Sequence, residues 1–214
     1  SANEDLDAID FPSGNLLFST VSTYSAAGAA GEGEDVFYYL TIYNENYEQP
    51  PRPDHVTDED ICQGLYRFDH GPDAEILATI LFSGSAQGAA RAAQAELLAH
   101  YGVGAELWSA TSYKRLRQEA LSVGRRNRLH PTSPPEQPLV TRLLEDSSGP
   151  IVAVTDFMKA IPDQVARWIP TGRRFTPLGT DGFGRSDTRE ALRRYFEVDA
   201  AHVVVATLAA LAAD

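Results

Sequence analysis

The chain contains one cysteine, Cys62, two lysines, Lys114 and Lys159, and a single basic residue, Arg52, among its first 60 positions. Each scarcity excludes something. One cysteine forms no internal disulfide and leaves no Cys partner for a structural zinc site, so a reducing compartment, the cytoplasm, is expected. The five histidines, His55, His70, His100, His130 and His202, stand alone. None has the spacing of a metal pair on a helix face and none accompanies a G-x-S-x-G elbow, which sets aside zinc and serine hydrolases. No apolar run reaches the ~20 residues that span a bilayer, and no basic n-region precedes an apolar core, so neither a membrane span nor export is expected.

What is present is unevenly spread. The 214 residues hold 30 acidic and 18 basic side chains, a net charge of -12. Residues 1–60 hold 13 Asp and Glu against Arg52 alone, and the remaining chain balances at 17 of each sign. A neutral body behind an acidic lead does not suit nucleic acid or anionic lipid, so the expected partners are proteins or small molecules. With 43% hydrophobic residues the body has enough apolar surface for a real core.

Residues 1–35 mix acids with Gly, Ala and Ser and read as a loosely packed lead, in which only LLFSTV (16–21) has strand character. VFYYLTIY (36–43) reads as a buried strand, and residues 44–60, with Pro50, Pro51 and Pro53, as an extended linker. Beyond residue 60 the pattern alternates. Strands are predicted at 75–84, 105–112, 149–156 and 173–179, with a further short strand after Cys62. Helices are predicted at 85–102, 113–129, 138–146, 156–170 with a break near Pro162, 186–196 and 199–214. Strands alternating with helices imply right-handed crossovers, so residues 61–214 are expected to form a three-layer α/β domain around a mostly parallel sheet.

Ligands of such sheets lie beyond the carboxyl ends of the strands. There, SGSAQG (Ser83–Gly88) could offer backbone N–H groups to a phosphate, although close strand-to-helix packing explains Gly84 and Gly88 without one. The denser motif is GTDGFGRSDTRE (179–190). Its residues Thr180, Asp181, Gly182, Phe183, Gly184, Arg185, Ser186 and Asp187 are the candidate ligand or interface turn. Gly182 and Gly184 permit positive φ, Asp187 with Glu190 resembles a capping box, and Asp181, Arg185 and Asp187 could form a charge network or receive a carboxylate. A capped turn with structural ion pairs is the plainer account. Lys114, Arg115, Arg117, Arg125, Arg126 and Arg128 make a basic helix face, expected to be solvated or to meet the acidic lead or a second subunit. Cys62 is expected to be a buried small hydrophobe. Spacing alone supplies a fold and no self-sufficient active site.

Four stretches carry a resemblance: DVFYYLTIYNENYEQP (35–50), YGVGAELWSATS (101–112), VTDFMKAIPDQV (154–165) and, above all, LGTDGFGRSDTREALRRYFEVDAAHVVVA (178–206). Together they resemble the C-terminal region of the homodimeric bacterial pyruvate dehydrogenase (acetyl-transferring) component, of the transketolase superfamily, from about residue 35 to residue 213. The resemblance implies three α/β domains in the intact enzyme. Residues 36–43 would be the last strand of the second domain, 44–60 the linker, and 61–214 a transketolase C-terminal-like domain. It also implies thiamine diphosphate and magnesium, a second subunit in a homodimer, and dihydrolipoyl acetyltransferase as partner. The family's GDG-type metal motif, its activating glutamate and its catalytic histidines belong to the first two domains, so no catalytic, cofactor-binding or metal-binding residue is expected here. GTDGFG is not that motif, since it lacks the downstream Asn. Residues 1–34 depart from the family pattern, with SAAGAAGEGE where a helix would stand. The chain alone is expected to be inactive and to bind no cofactor. A related 2-oxo acid dehydrogenase component, or a stand-alone interaction module on the same fold, are the alternatives.

Overall fold

A computed structural model describes residues 45–47 and 50–213. The predicted lead and the strands at 16–21 and 36–43 lie outside the described residues. The chain divides into units Ser1–Pro51 and Arg52–Asp214, and the second is the α/β body.

Helix α1 (Asp58–Gln63) opens that body, so helix begins inside the stretch read as an extended linker. A capping box explains it. The Thr57 hydroxyl accepts from the Asp60 N–H at 3.2 Å, and the Asp60 carboxylate accepts from the Thr57 N–H at 2.8 Å. The hydrogen bonds from Thr57 hold the Asp60 carboxyl below its ordinary range. Cys62, on this short surface helix, is exposed and not buried as its sequence setting suggested.

Five strands follow: β1 (Tyr66–Asp69), β2 (Ile76–Phe82), β3 (Val103–Ser109), β4 (Ile151–Val154) and β5 (Phe175–Leu178). Their order is β1-β3-β2-β4-β5, parallel except for β1, which pairs antiparallel with β3 at the edge. The strand period of two sends Ala78, Ile80 and Phe82 to one face of β2 and Leu81 to the other. On the first face these residues, with Val103, Leu107, Val152 and Val154, pack under α2 (Gln87–Tyr101) and α7 (Ala200–Ala212). On the second, Leu81, Trp108, Ile151 and Ala153 pack under α3 (Tyr113–Leu129) and α4 (Leu139–Glu145). The result is the expected three-layer α/β architecture around a mostly parallel sheet.

The helix boundaries follow local chemistry. α2 stops where Gly102 takes φ 66 and its N–H caps the last turn, and α3 starts where the Ser112 hydroxyl accepts from the Arg115 N–H at 3.2 Å. The region 156–170 is less helical than its pattern suggests, holding only α5 (Ala160–Asp163) and a 3-10 turn at Ala166–Trp168. Pro162 lies in the first turn of α5, where its missing N–H costs nothing, and the chain turns again at Pro170.

Residues 189–212 together are long and apolar enough, by length and composition, to cross a membrane. The run is nonetheless broken between α6 (Arg189–Tyr195) and α7, with Glu197 at φ 59. The 13 residues of α7 rise only ~20 Å, short of the ~30 Å hydrocarbon core. α7 buries Val203, Val204, Thr207 and Ala210 instead.

Asp199 caps α7, its Oδ1 accepting from the His202 N–H at 3.0 Å and lying 2.6 Å from His202 Nδ1. Burial works to raise the Asp199 carboxyl, but these hydrogen bonds outweigh it and hold the group below its ordinary range. A depressed carboxylate contributes stability that is complete above its unfolded pKa and lost as pH falls through the folded value. Asp199→Ala is therefore expected to cost about 1 kcal/mol at neutral pH, read by urea denaturation, with the difference from the parent shrinking as the solution is acidified.

Candidate functional site

The two candidate turns lie beyond the carboxyl ends of the strands, and the structure treats them differently. After β2, the Ser83 hydroxyl donates to Thr155 Oγ1 at 2.7 Å, tying this turn to the end of β4. Gly84 takes φ 58, and a Cβ there would lie 2.7 Å from Asp156 Cγ. The Ser85 N–H donates to Asp156 Oδ2 at 3.1 Å. A carboxylate of this chain thus occupies the place where a phosphate would sit, and would repel one. This contact favours the close-packing account of the Ser83–Gly88 turn over a phosphate site. Gly84 is explained by close approach, but Gly88 is not, since a Cβ there would meet nothing within 4 Å.

After β5, the turn is fastened to the loop that follows β4. The Thr180 N–H donates to Phe157 O and its hydroxyl to Asp156 O, both at 2.8 Å, while Asp181 Oδ1 accepts from the Lys159 N–H at 2.9 Å. Gly182 has φ 95; Gly184 does not take positive φ. The Arg185 guanidinium stacks over the Tyr195 ring at 4.1 Å. Asp187 Oδ1 accepts from the Thr188 N–H at 2.7 Å, and Thr188 is the cap of α6, its hydroxyl accepting from the Ala191 N–H. The cap is therefore one residue later than the sequence pattern placed it, because Asp187 turns its carboxylate onto its neighbour. Nor do Asp181, Arg185 and Asp187 form a network: one holds the β4 loop, one lies on a tyrosine, one shapes the turn. Arg185, Ser186, Asp187, Ala191, Leu192 and Tyr195 line an open hollow of about 280 Å³.

The other candidates are ordinary by comparison. His55 Nε2 lies 2.9 Å from Arg67 O, and His202 belongs to the α7 cap. Among the described residues no group of three His, Cys, Asp or Glu converges as a metal site. On the basic face of α3, Arg126 pairs with Glu136. Burial pushes the Tyr113 phenol far up, keeping it neutral.

Sequence reasoning missed Asp156 as the occupant of the β2 turn and Tyr195 as the seat of Arg185. Both are contacts between separate elements with no local signature. It also missed a polar cluster under the second face, whose one signal was a glutamate, Glu106, inside the otherwise apolar AELWS.

The described body is a three-layer α/β domain, and the chain belongs to the transketolase-like TK C-terminal domain family, whose model matches residues 64–199. It is 44% identical over 182 residues to the pyruvate dehydrogenase E1 component of Mycobacterium tuberculosis, covering 85% of this chain and 19% of that protein. The same component from Escherichia coli K12 is 41% identical over 179 residues, covering 84% of this chain and 20% of that protein. The chain thus spans about one fifth of the length of these curated relatives, as a C-terminal fragment. Among solved structures, a split-gene transketolase described as an inactive β4 tetramer is 18% identical, with a TM-score of 0.49 over 78% of this chain and 46% of that chain.

Proposed function

We propose that this chain is the C-terminal part of a thiamine-diphosphate-dependent pyruvate dehydrogenase component of the cytoplasm, acting in oxidative decarboxylation of pyruvate and acetyl transfer to lipoyl groups. The observation that carries this reading is the 44% identity across 85% of the chain to the E1 component. In that enzyme the cofactor would supply the carbanion chemistry. The described residues do not fit it. The turn best disposed to take a diphosphate already holds the Asp156 carboxylate on the Ser85 N–H. The cofactor, with magnesium, would belong to the preceding domains, and this domain would serve packing within the subunit and across a homodimer that meets dihydrolipoyl acetyltransferase.

Calorimetry of the isolated chain with thiamine diphosphate and magnesium is expected to give no saturable binding in the micromolar range, and saturable micromolar heats would overturn that part of the reading. Joined to its preceding domains, the protein is expected to transfer acetyl groups from pyruvate to lipoyl acceptors. Turnover of a different 2-oxo acid alone would reassign the substrate.

A further inference from the structure

Resting on that reading, we infer that the turn 181–187, with Phe183 at its tip, is the surface by which this domain seats on the preceding cofactor-binding α/β domains of the enzyme. All ten residues from 181 to 190 are exposed. Phe183 is 95% exposed, more than any other large hydrophobic side chain among the described residues. The turn buries nothing of its own, yet it is held in place from below through Thr180 and Asp181. The loop it is fastened to adds Met158, 54% exposed, and Tyr195, 53% exposed, carries the Arg185 stack. Three large apolar side chains and an ordered guanidinium at one end of the domain have the composition of an interface centre, where aromatic and arginine anchors carry most of the binding. An arginine already stacked on a tyrosine loses little freedom on docking.

Other large apolar side chains are exposed elsewhere, Val205 on α7, Leu98 and Tyr101 on α2, Ile76 and Leu77 on β2 and Leu121 and Leu129 on α3, but none stands as far out of the surface as Phe183. The occupant of the 181–187 surface follows from length. About four fifths of the curated relatives lies before the matched region, so a C-terminal domain must turn one face to a body several times its size. The face with the largest unburied aromatic is the one that gains by it.

The test places p-benzoylphenylalanine at position 183 in the enzyme assembled with its preceding domains, followed by irradiation and mapping of the cross-linked peptide. An adduct on the preceding α/β domains is expected. An adduct confined to residues 52–214, one on an unrelated protein, or none would overturn the inference. In the same assembled enzyme, Phe183→Asp is expected to raise hydrogen-exchange rates of the amides at 182–187 by roughly thirtyfold, the size of a hot-spot loss, and Phe183→Leu by less. A rise below threefold for Phe183→Asp would overturn it too. Thermal unfolding of the 214-residue chain alone is expected to be unchanged, because the side chain packs on nothing there. Acetyl transfer by the parent enzyme separates the two readings. An active enzyme without the adduct rejects only the surface, and the adduct in an enzyme of other chemistry rejects only the activity.

Discussion

Gly149→Ala is expected to destabilise the 52–214 unit by about 3 kcal/mol or more, a large share of the roughly 5–15 kcal/mol that holds a domain folded. Gly149 has φ +65, and a Cβ there would fall well inside contact with the Leu77 carbonyl, 2.7 Å from its carbon and 3.2 Å from Ala78 Cα. These are backbone atoms of β2, which is hydrogen-bonded to β3 on one side and β4 on the other and cannot swing aside as a side chain would. The position also leads directly into the sheet. The next residue, Pro150, accepts the Thr79 N–H at 3.0 Å, and Gly149 O itself accepts from Arg173 Nε at 2.6 Å. Left-handed backbone strain and a backbone clash therefore act together. Gly124→Ala is the control. Gly124 lies inside α3 with nothing within 4 Å of where the new methyl would stand, so it is expected to gain roughly 0.5–1 kcal/mol. Urea denaturation of both variants reads the contrast, and a Gly149→Ala variant within 1 kcal/mol of the parent would contradict the close approach.

Elements whose evidence is local were legible in the sequence. The α3 span, 113–129, is read from the sequence at the bounds the structure shows, and the β2 strand follows from a continuous apolar run. The candidate turn at 180–187 was legible as a place, since glycines and acids cluster there before a helix. Its internal wiring was not. Asp187 and Thr188 are adjacent cap formers, and which one caps depends on where the chain enters α6, a matter of tertiary position. The same holds for Asp156, which reads as the end of a strand and turns out to fill the neighbouring strand's turn across the sheet. Cys62 illustrates the reverse error. A lone cysteine is buried by default, but the first acidic helix sits at the surface and takes its cysteine with it.

The half-buried polar cluster at the other end of the sheet, built around the buried Thr79 and Ser147, makes the second large prediction. Glu106 projects from β3 with Oε1 accepting from the Ser148 N–H at 3.1 Å and lying 3.0 Å from the Thr79 hydroxyl, and with Oε2 3.0 Å from Arg67 Nε. Arg67 also lies over the Trp108 ring at 4.8 Å. Arg173 closes the cluster from the segment before β5. Its Nε donates to Gly149 O, Nη1 to Leu144 O and the Ser147 hydroxyl, and Nη2 to Thr79 Oγ1 and Ser148 O, both at 2.9 Å. One planar fork thus gathers the whole loop between α4 and β4, which a lysine ammonium could not do. Burial lowers the basicity of Arg173, and the charge of Glu106 opposes that, so the two hold each other in place through Thr79. Glu106→Ala is expected to cost about 3–5 kcal/mol, because Arg67 and Arg173 would keep their desolvation and lose their counter-charge. Glu106→Gln keeps the acceptor on Ser148 N–H and should cost less than half as much. In a cycle with Arg173→Met, the double variant is expected to be less destabilised than the sum of the singles by at least about 1 kcal/mol. Additivity within 0.5 kcal/mol would mean that the groups act separately. Because this clamp sits before β4 and the exposed turn follows β5, loss of the clamp should lower unfolding stability without altering where position 183 cross-links, so long as the protein is studied at a temperature where it remains folded.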